Sequence, residues 1–233
     1  MVCNSGVSLT PTINGKTHHF VNAGLYDALF VMQDAETKTL WNHVTGEALY
    51  GALAGHRLHI SNLLQMNVKQ ALASAPTMKV AISNRPISGG QRPYAPDNPK
   101  AALAPMFTQT LGKEDLRRTR MDVGLGIWTD ATHRYYPMEF IRQRGNAFID
   151  KIDGRKVLIY IEPESATPAA LFVDATGFKW QEKEIHFRNG VVVRSGLLYG
   201  PKGEPRQVKR PQQIFTRWYG FALTFPGCEV FSE

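Results

Sequence analysis

Three groups of residues in this 233-residue chain carry side chains able to do chemistry. The first is Cys3 with the histidines that crowd the N-terminal quarter: His18, His19, His43, His56 and His59, five of the seven in the chain. A thiolate with imidazoles is a donor set for a transition metal, copper or zinc, when three or four ligands converge. Of these, Cys3, His18, His19 and His43 form the candidate metal set. His18 and His19 are neighbours, so on a strand they point to opposite faces and at most one serves a given site. Cys3 is also a candidate nucleophile or redox group, provided a cationic or basic neighbour lowers its pKa. The second group is the carboxylates Asp34, Glu47, Glu162, Glu164 and Asp174. Hydrolysis of a glycoside needs two carboxyl groups roughly 5–10 Å apart. Glu47, in Thr45-Gly46-Glu47, and Asp34 are the candidates for that pair, although Asp34 and Asp174 also suit turn caps after strands. The third group is Tyr26, Trp41 and Trp218, with Trp180, as platforms for a flat ligand or a sugar. Tryptophans repeated at matching positions are more often pieces of core. Cys228, between an apolar helix and a strand, reads as core.

Composition narrows the field. Apolar content of 43% with 20% charged residues is that of an ordinary globular chain long enough to bury a substantial core. No apolar run reaches the roughly 18 residues of a membrane span. The first residues show neither the basic region nor the apolar core of a signal peptide. The net charge of +7 is uneven. Residues 1–60 hold three Lys or Arg against four Asp or Glu, whereas residues 200–218 hold five (Lys202, Arg206, Lys209, Arg210, Arg217) against Glu204 alone. Such a basic cluster could attract nucleic acid or anionic lipid, but no zinc knuckle, RNA-recognition or helix-turn-helix pattern accompanies it. The expected partner is a metal or small molecule. Serine-nucleophile elbow, P-loop, dinucleotide fingerprint and His-Glu-x-x-His patterns are lacking.

The elements that must position these residues are mostly short strands. Val7 to Leu9 leads to a tight hairpin at Asn14-Gly15, with Lys16 to Val21 returning. Ala28 to Met32 reads as a buried strand, Asp34 to Lys38 as a polar turn, and Thr39 to Trp41 as a strand. Asn62 to Ala73 is expected to be a helix capped by Ser61 or Asn62, with Leu64, Val68 and Leu72 on one face. Pro76 ends it, and Lys79 to Ile82 forms a strand. Ser83 to about Gly112, rich in Pro and Gly, reads as a linker or surface arm. Val123 to Trp128 pairs with His133 to Tyr136, and Pro137 opens a short helix. Ala147 to Asp150 and Lys156 to Ile161 join at Asp153-Gly154. Strands follow at 170–174, 178–180, 184–187 and 191–193, then a helix over Gln212 to Thr224 and a last strand at 229–231.

Several segments recur in order: Ala28-Leu-Phe-Val31 as Ala170-Leu-Phe-Val173, Leu49-Tyr-Gly51 as Leu198-Tyr-Gly200, and 71–76 as 221–226. An Asp and a Trp follow each Ala-Leu-Phe-Val. The pattern predicts two copies of one module. The fold expected is α+β and β-rich. Its two related modules of short, mostly antiparallel strands each end in a helix and a strand, spanning 1–83 and 113–233 about an arm at 84–112 in one compact body.

The chain also resembles the DUF3179 family, bacterial and archaeal proteins without an assigned activity. The resemblance rests on Cys3-Asn-Ser-Gly6, Gly24-Leu-Tyr26, Leu29-Phe-Val-Met32, Asp34 with Glu36-Thr37, Leu40-Trp41, Thr45-Gly-Glu-Ala48 and Gly51 with Leu53-Ala-Gly55. In the second half it rests on Arg134-Tyr-Tyr-Pro137, Asp153-Gly154 and Phe215-Thr-Arg-Trp-Tyr-Gly-Phe-Ala222. The family's Cys-x-x-Cys pair is reduced here to Cys3, as in a chain that begins inside the family's first repeat. Two functions are expected from these residues: metal or small-ligand binding in a cleft between the modules, redox-active through Cys3, or hydrolysis by carboxylates such as Glu47 and Asp34.

Overall fold

A computed structural model describes residues 6–75, 77–79, 82, 84 and 103–232. Cys3 lies outside the described residues, as do most of the arm and the centre of the strand expected at 79–82. The fold is α+β and β-rich, with short and mostly antiparallel strands, as expected.

Along the first half, β1 (Ser8–Leu9) is followed by the hairpin of β2 (Thr12–Ile13) and β3 (Lys16–Thr17). Its turn residues Asn14 and Gly15 have φ of 49° and 77°, the left-handed pair that the Asn-Gly sequence supplies. Next come β4 (Phe20–Tyr26), β5 (Leu29–Asp34), β6 (Leu40–Asn42) and β7 (Ala48–Tyr50), hydrogen-bonded in that order as a meander. The turn between β4 and β5 is again tight, with Asp27 and Ala28 at φ 52° and 57°. Then β8 (Ile60–Ser61) returns to pair with β1. The unbroken apolar run of β5 is not buried throughout, because the meander has one face in solvent: Leu29 is buried while Phe30 is exposed.

Helix α1 (Val68–Ser74) begins well after the expected Asn62, at an Asn67 cap boxed with Gln70. Asn62 instead bridges the two halves of the chain, donating to the Pro211 carbonyl and accepting from the Gln213 N–H. Val68 and Leu72 are exposed, so the expected apolar face is not the packed one. Helix α2 (Pro105–Thr108) falls in the expected arm, yet the described part of that arm is packed. Leu103, Phe107 and Leu111 cluster with Ala28, Leu29 and Tyr219, and Thr110 receives the backbone N–H groups of Asp27 and Ala28.

The second half opens with β9 (Val123–Trp128), β10 (His133–Pro137) and α3 (Met138–Gln143). It continues through a sheet of β11 (Ala147–Ile152), β12 (Arg155–Glu162) and β13 (Thr167–Phe172), then a five-stranded meander. That meander comprises β14 (Phe178–Gln181), β15 (Glu184–Phe187), β16 (Val192–Arg194), β17 (Leu197–Tyr199) and β18 (Pro205–Arg206). The chain closes with β19 (Gln212–Arg217), α4 (Trp218–Thr224) and β20 (Glu229–Val230). The helix expected over 212–224 is therefore half strand. Residues 212–217 pair residue for residue with β9 in the sheet β19-β9-β10-β20, and the helix starts only at Trp218. Pairing with β9 along its full length decides against local helical periodicity here.

The segments that match in sequence do not occupy matching places. β5 is an inner strand of its meander, whereas β13 is an edge strand of its sheet. Phe30 is exposed and stacked on His43, and Phe172 lies under the Arg155 guanidinium. Of the repeated helices, α1 buries only Gln70, while α4 buries Trp218, Tyr219, Phe221 and Ala222. The halves nonetheless share a core: Val44 and Ile60 of the first pack with Trp128, Tyr135, Ile214, Phe221 and Phe225 of the second.

Candidate functional site

The antiparallel register of β4 and β5 builds a tight cluster of donor groups. Phe20 pairs with Asp34, so the residues just before β4, His18 and His19, lie across from the turn just after β5. That turn is closed by Lys38, at φ 60°, whose N–H donates to the Asp34 carbonyl. The Asp34 carboxylate caps it from inside. Oδ1 accepts the Thr37 N–H at 2.6 Å, and the Thr37 hydroxyl donates at 2.8 Å. Oδ2 accepts the Trp41 indole N–H at 2.9 Å, and His18 Nδ1 lies 3.2 Å from Oδ1. Asp34 is fully buried, which opposes ionisation, but the donors from Trp41, Thr37 and His18 outweigh burial and hold its carboxyl well below the usual carboxylate range.

Glu36 forms the outer wall. Its Oε1 takes the His19 imidazole at 2.7 Å and its Oε2 the His19 backbone N–H at 3.0 Å. Those two bonds bring its pKa down to about 2. Its Oε2 also lies 3.7 Å from His18 Nδ1. One donor atom each from His18, Asp34 and Glu36 therefore fall within 4.8 Å of one another. His18 and Asp34 are buried, and Glu36 and the exposed His19 form the rim.

The other expected site residues lie elsewhere. His43 does not join this cluster: it is buried against the Phe30 ring at 4.1 Å and hydrogen-bonds the Phe30 backbone, and burial pushes its pKa down to about 4. Trp41 and Trp218 are fully buried. Trp41 spends its N–H on Asp34, and Trp218 donates to the Asp115 carbonyl at 2.7 Å. Trp180 is half-buried and donates to the Gly145 carbonyl. Tyr26 is exposed at the end of β4 beside Gly24, Leu25 and Leu49. Glu47 is half-exposed, 3.8 Å from Arg57, in a cleft that does not include Asp34. The carboxylate pair expected from the sequence is thus not assembled, because Asp34 faces inward into its own turn. Asp174 is exposed as well. Cys228 is buried core, and burial raises its thiol to about 11.

The basic cluster at 200–218 is largely used within the fold. Arg210 donates to the Ala170 and Gly196 carbonyls, Arg217 to the Met121 carbonyl, and Arg206 pairs with Glu204. Among the described residues no helix is long and apolar enough to cross a membrane. Glu36 is the site residue that sequence reasoning passed over. Its signal was available in the hairpin itself: a tight turn at Asp27-Ala28 brings residues 18–20 opposite residues 34–36.

No curated protein and no solved structure matches the chain. The model of one family, DUF3179, described as a protein of unknown function, matches residues 1–224. That match covers nearly all of the 233 residues, among them the β4–β5 hairpin with Asp34, Glu36 and Trp41, and the chain belongs to the DUF3179 family.

Proposed function

We propose that this protein binds a divalent transition metal, zinc in the first instance, through His18 Nδ1, Asp34 Oδ1 and Glu36 Oε2. The observation that supports this reading is the spacing of the donors. His18 Nδ1 lies 3.2 Å from the Asp34 oxygen and 3.7 Å from the Glu36 oxygen. Tetrahedral zinc with bonds of about 2.1 Å separates its ligand atoms by about 3.4 Å. A cation would replace the hydrogen bond between His18 and Asp34, with Nδ1 deprotonated. Asp34 and Glu36 are both ionised near neutral pH, so neither needs to lose a proton for the metal to enter. Trp41 and Thr37 would then hold Asp34 from behind, and His19 would hold Glu36, as outer partners that orient the ligands. This donor set is nitrogen and oxygen only and does not call on Cys3.

Titration with Zn²⁺ tests the proposal, reading bound metal per chain and the melting midpoint. At about a hundredfold excess over Kd, one site adds about 2.7 kcal/mol, a rise of about 5–10 °C for a chain of this size. Glu36→Gln, at a rim position where the fold tolerates change, is expected to weaken binding at least about tenfold. Absence of retained metal and of any thermal shift with Zn²⁺ or Mn²⁺ would end this reading. So would unchanged binding in both Glu36→Gln and His18→Ala.

A further inference from the structure

A second site opens where the two halves of the chain meet. The cleft has a volume of about 710 Å³, within the range of small-molecule sites. One wall carries Glu47, just before β7, bridged to Arg57, between β7 and β8, and the other carries His133 at the start of β10. Its floor is apolar: Trp128 and Phe225 lie 5.4 Å apart, and the His133 ring stacks on Phe225 at 4.5 Å. Gln212 crosses the base. Its Nε2 donates to the Ile60 carbonyl at 3.3 Å, which fixes the orientation of the amide. Its Oε1 is buried and finds no hydrogen-bond partner among the described residues.

We propose that this cleft binds a neutral, hydroxyl-rich molecule of about the size of a disaccharide. Three features select that chemistry. The polar groups lining the space offer both acceptors and donors: the carboxylates of Glu47 and Asp130 and the Gln212 amide, with the imidazoles of His59 and His133 and the guanidinium of Arg57. Planar carboxylate, amide and guanidinium edges suit vicinal hydroxyl groups, which both donate and accept. Glu47 and Arg57 are held only loosely together at 3.8 Å and both are largely solvated, so a ligand can separate them at small cost. The two carboxylates in the lining set like-charge repulsion against a phosphate or carboxylate ligand. The site is separate from His18, Asp34 and Glu36, and its occupancy does not depend on a metal.

Calorimetric titration of the full chain with cellobiose, maltose and myo-inositol is the test, with glucose 6-phosphate as the anionic comparison. Saturable binding of at least one neutral probe with Kd below about 10 mM is expected. Asp130→Ala and Glu47→Ala should each weaken it about tenfold or more, whereas Glu36→Gln should leave it unchanged. Glu47 is half-exposed and Asp130 exposed, so neither variant removes a core contact. The proposal is overturned if no neutral probe binds, if both cleft variants bind as the parent does, or if glucose 6-phosphate binds more tightly than every neutral probe.

Discussion

Asp34 is the residue on which the first half turns, and its surroundings set the consequences of changing its neighbours. It is a buried carboxylate held in its ionised form by the indole of Trp41, by Thr37 and by His18. Trp41→Phe keeps most of the apolar volume and removes one donor to a buried charge. We expect a loss of about 1.5–3 kcal/mol, measured by urea denaturation, beyond that of a comparable core change. His43 gives a pH dependence of definite sign. Burial favours its neutral form, with a folded-state pKa of about 4 against an ordinary value of 6.5. The unfolded chain therefore binds the extra proton first, and stability falls as pH drops from 6.5 toward 4, by on the order of 2–3 kcal/mol. His43→Gln should flatten that acid slope in melting curves between pH 7 and pH 5. A slope unchanged in the variant would assign it to other groups. Asp34 was visible in the sequence as a turn cap, and it is one. Its partnership with His18 and Glu36 was not, because a cap and a ligand are the same residue type and differ only in what lies across the strand.

Between elements, close approach sets the tolerance for change. Gly126 of β9 lies under α4, and a Cβ there would come within 2.2 Å of the Phe221 ring. Gly124, two residues earlier, would meet the Tyr136 carbonyl at 2.4 Å. The Gly-x-Gly spacing in β9 is thus a packing device that lets a helix and a neighbouring strand sit tightly on one sheet. Gly126→Ala is expected to destabilise by about 3 kcal/mol or more, since a ring in a filled core must move. Asn67→Ala, which removes the capping box of α1, should cost only about 1 kcal/mol because that helix is lightly packed. Equal costs for the two substitutions would contradict this ranking. The contrast also explains why the two helices, alike in sequence pattern, do not correspond. The first lies exposed at the surface, whereas the second is the buried partner of a sheet.

For the molecule as a whole, the shared core carries the argument. Val44 and Ile60 pack with residues from β9, β10, β19 and α4, and Leu103 ties the described end of the arm to Leu29 and Tyr219. We propose that residues on either side of the arm unfold together. Tryptophan fluorescence and far-ultraviolet circular dichroism should then give coincident thermal transitions. Two separated transitions would show that the halves fold independently. By itself the sequence determined the fold class, the Asn-Gly and Asp-Gly turns, most of the strands, the burial of Cys228 and the family, because these follow from local backbone preference, from alternation and from motif order. It did not determine that 212–217 is a strand, that Trp41 and Trp218 are core, or that Glu47 and Asp34 lie in different sites. Those were decided by the tertiary structure. Strand pairing between residues far apart in the chain outweighs local helical periodicity, and the direction a side chain faces depends on which sheet its strand joins.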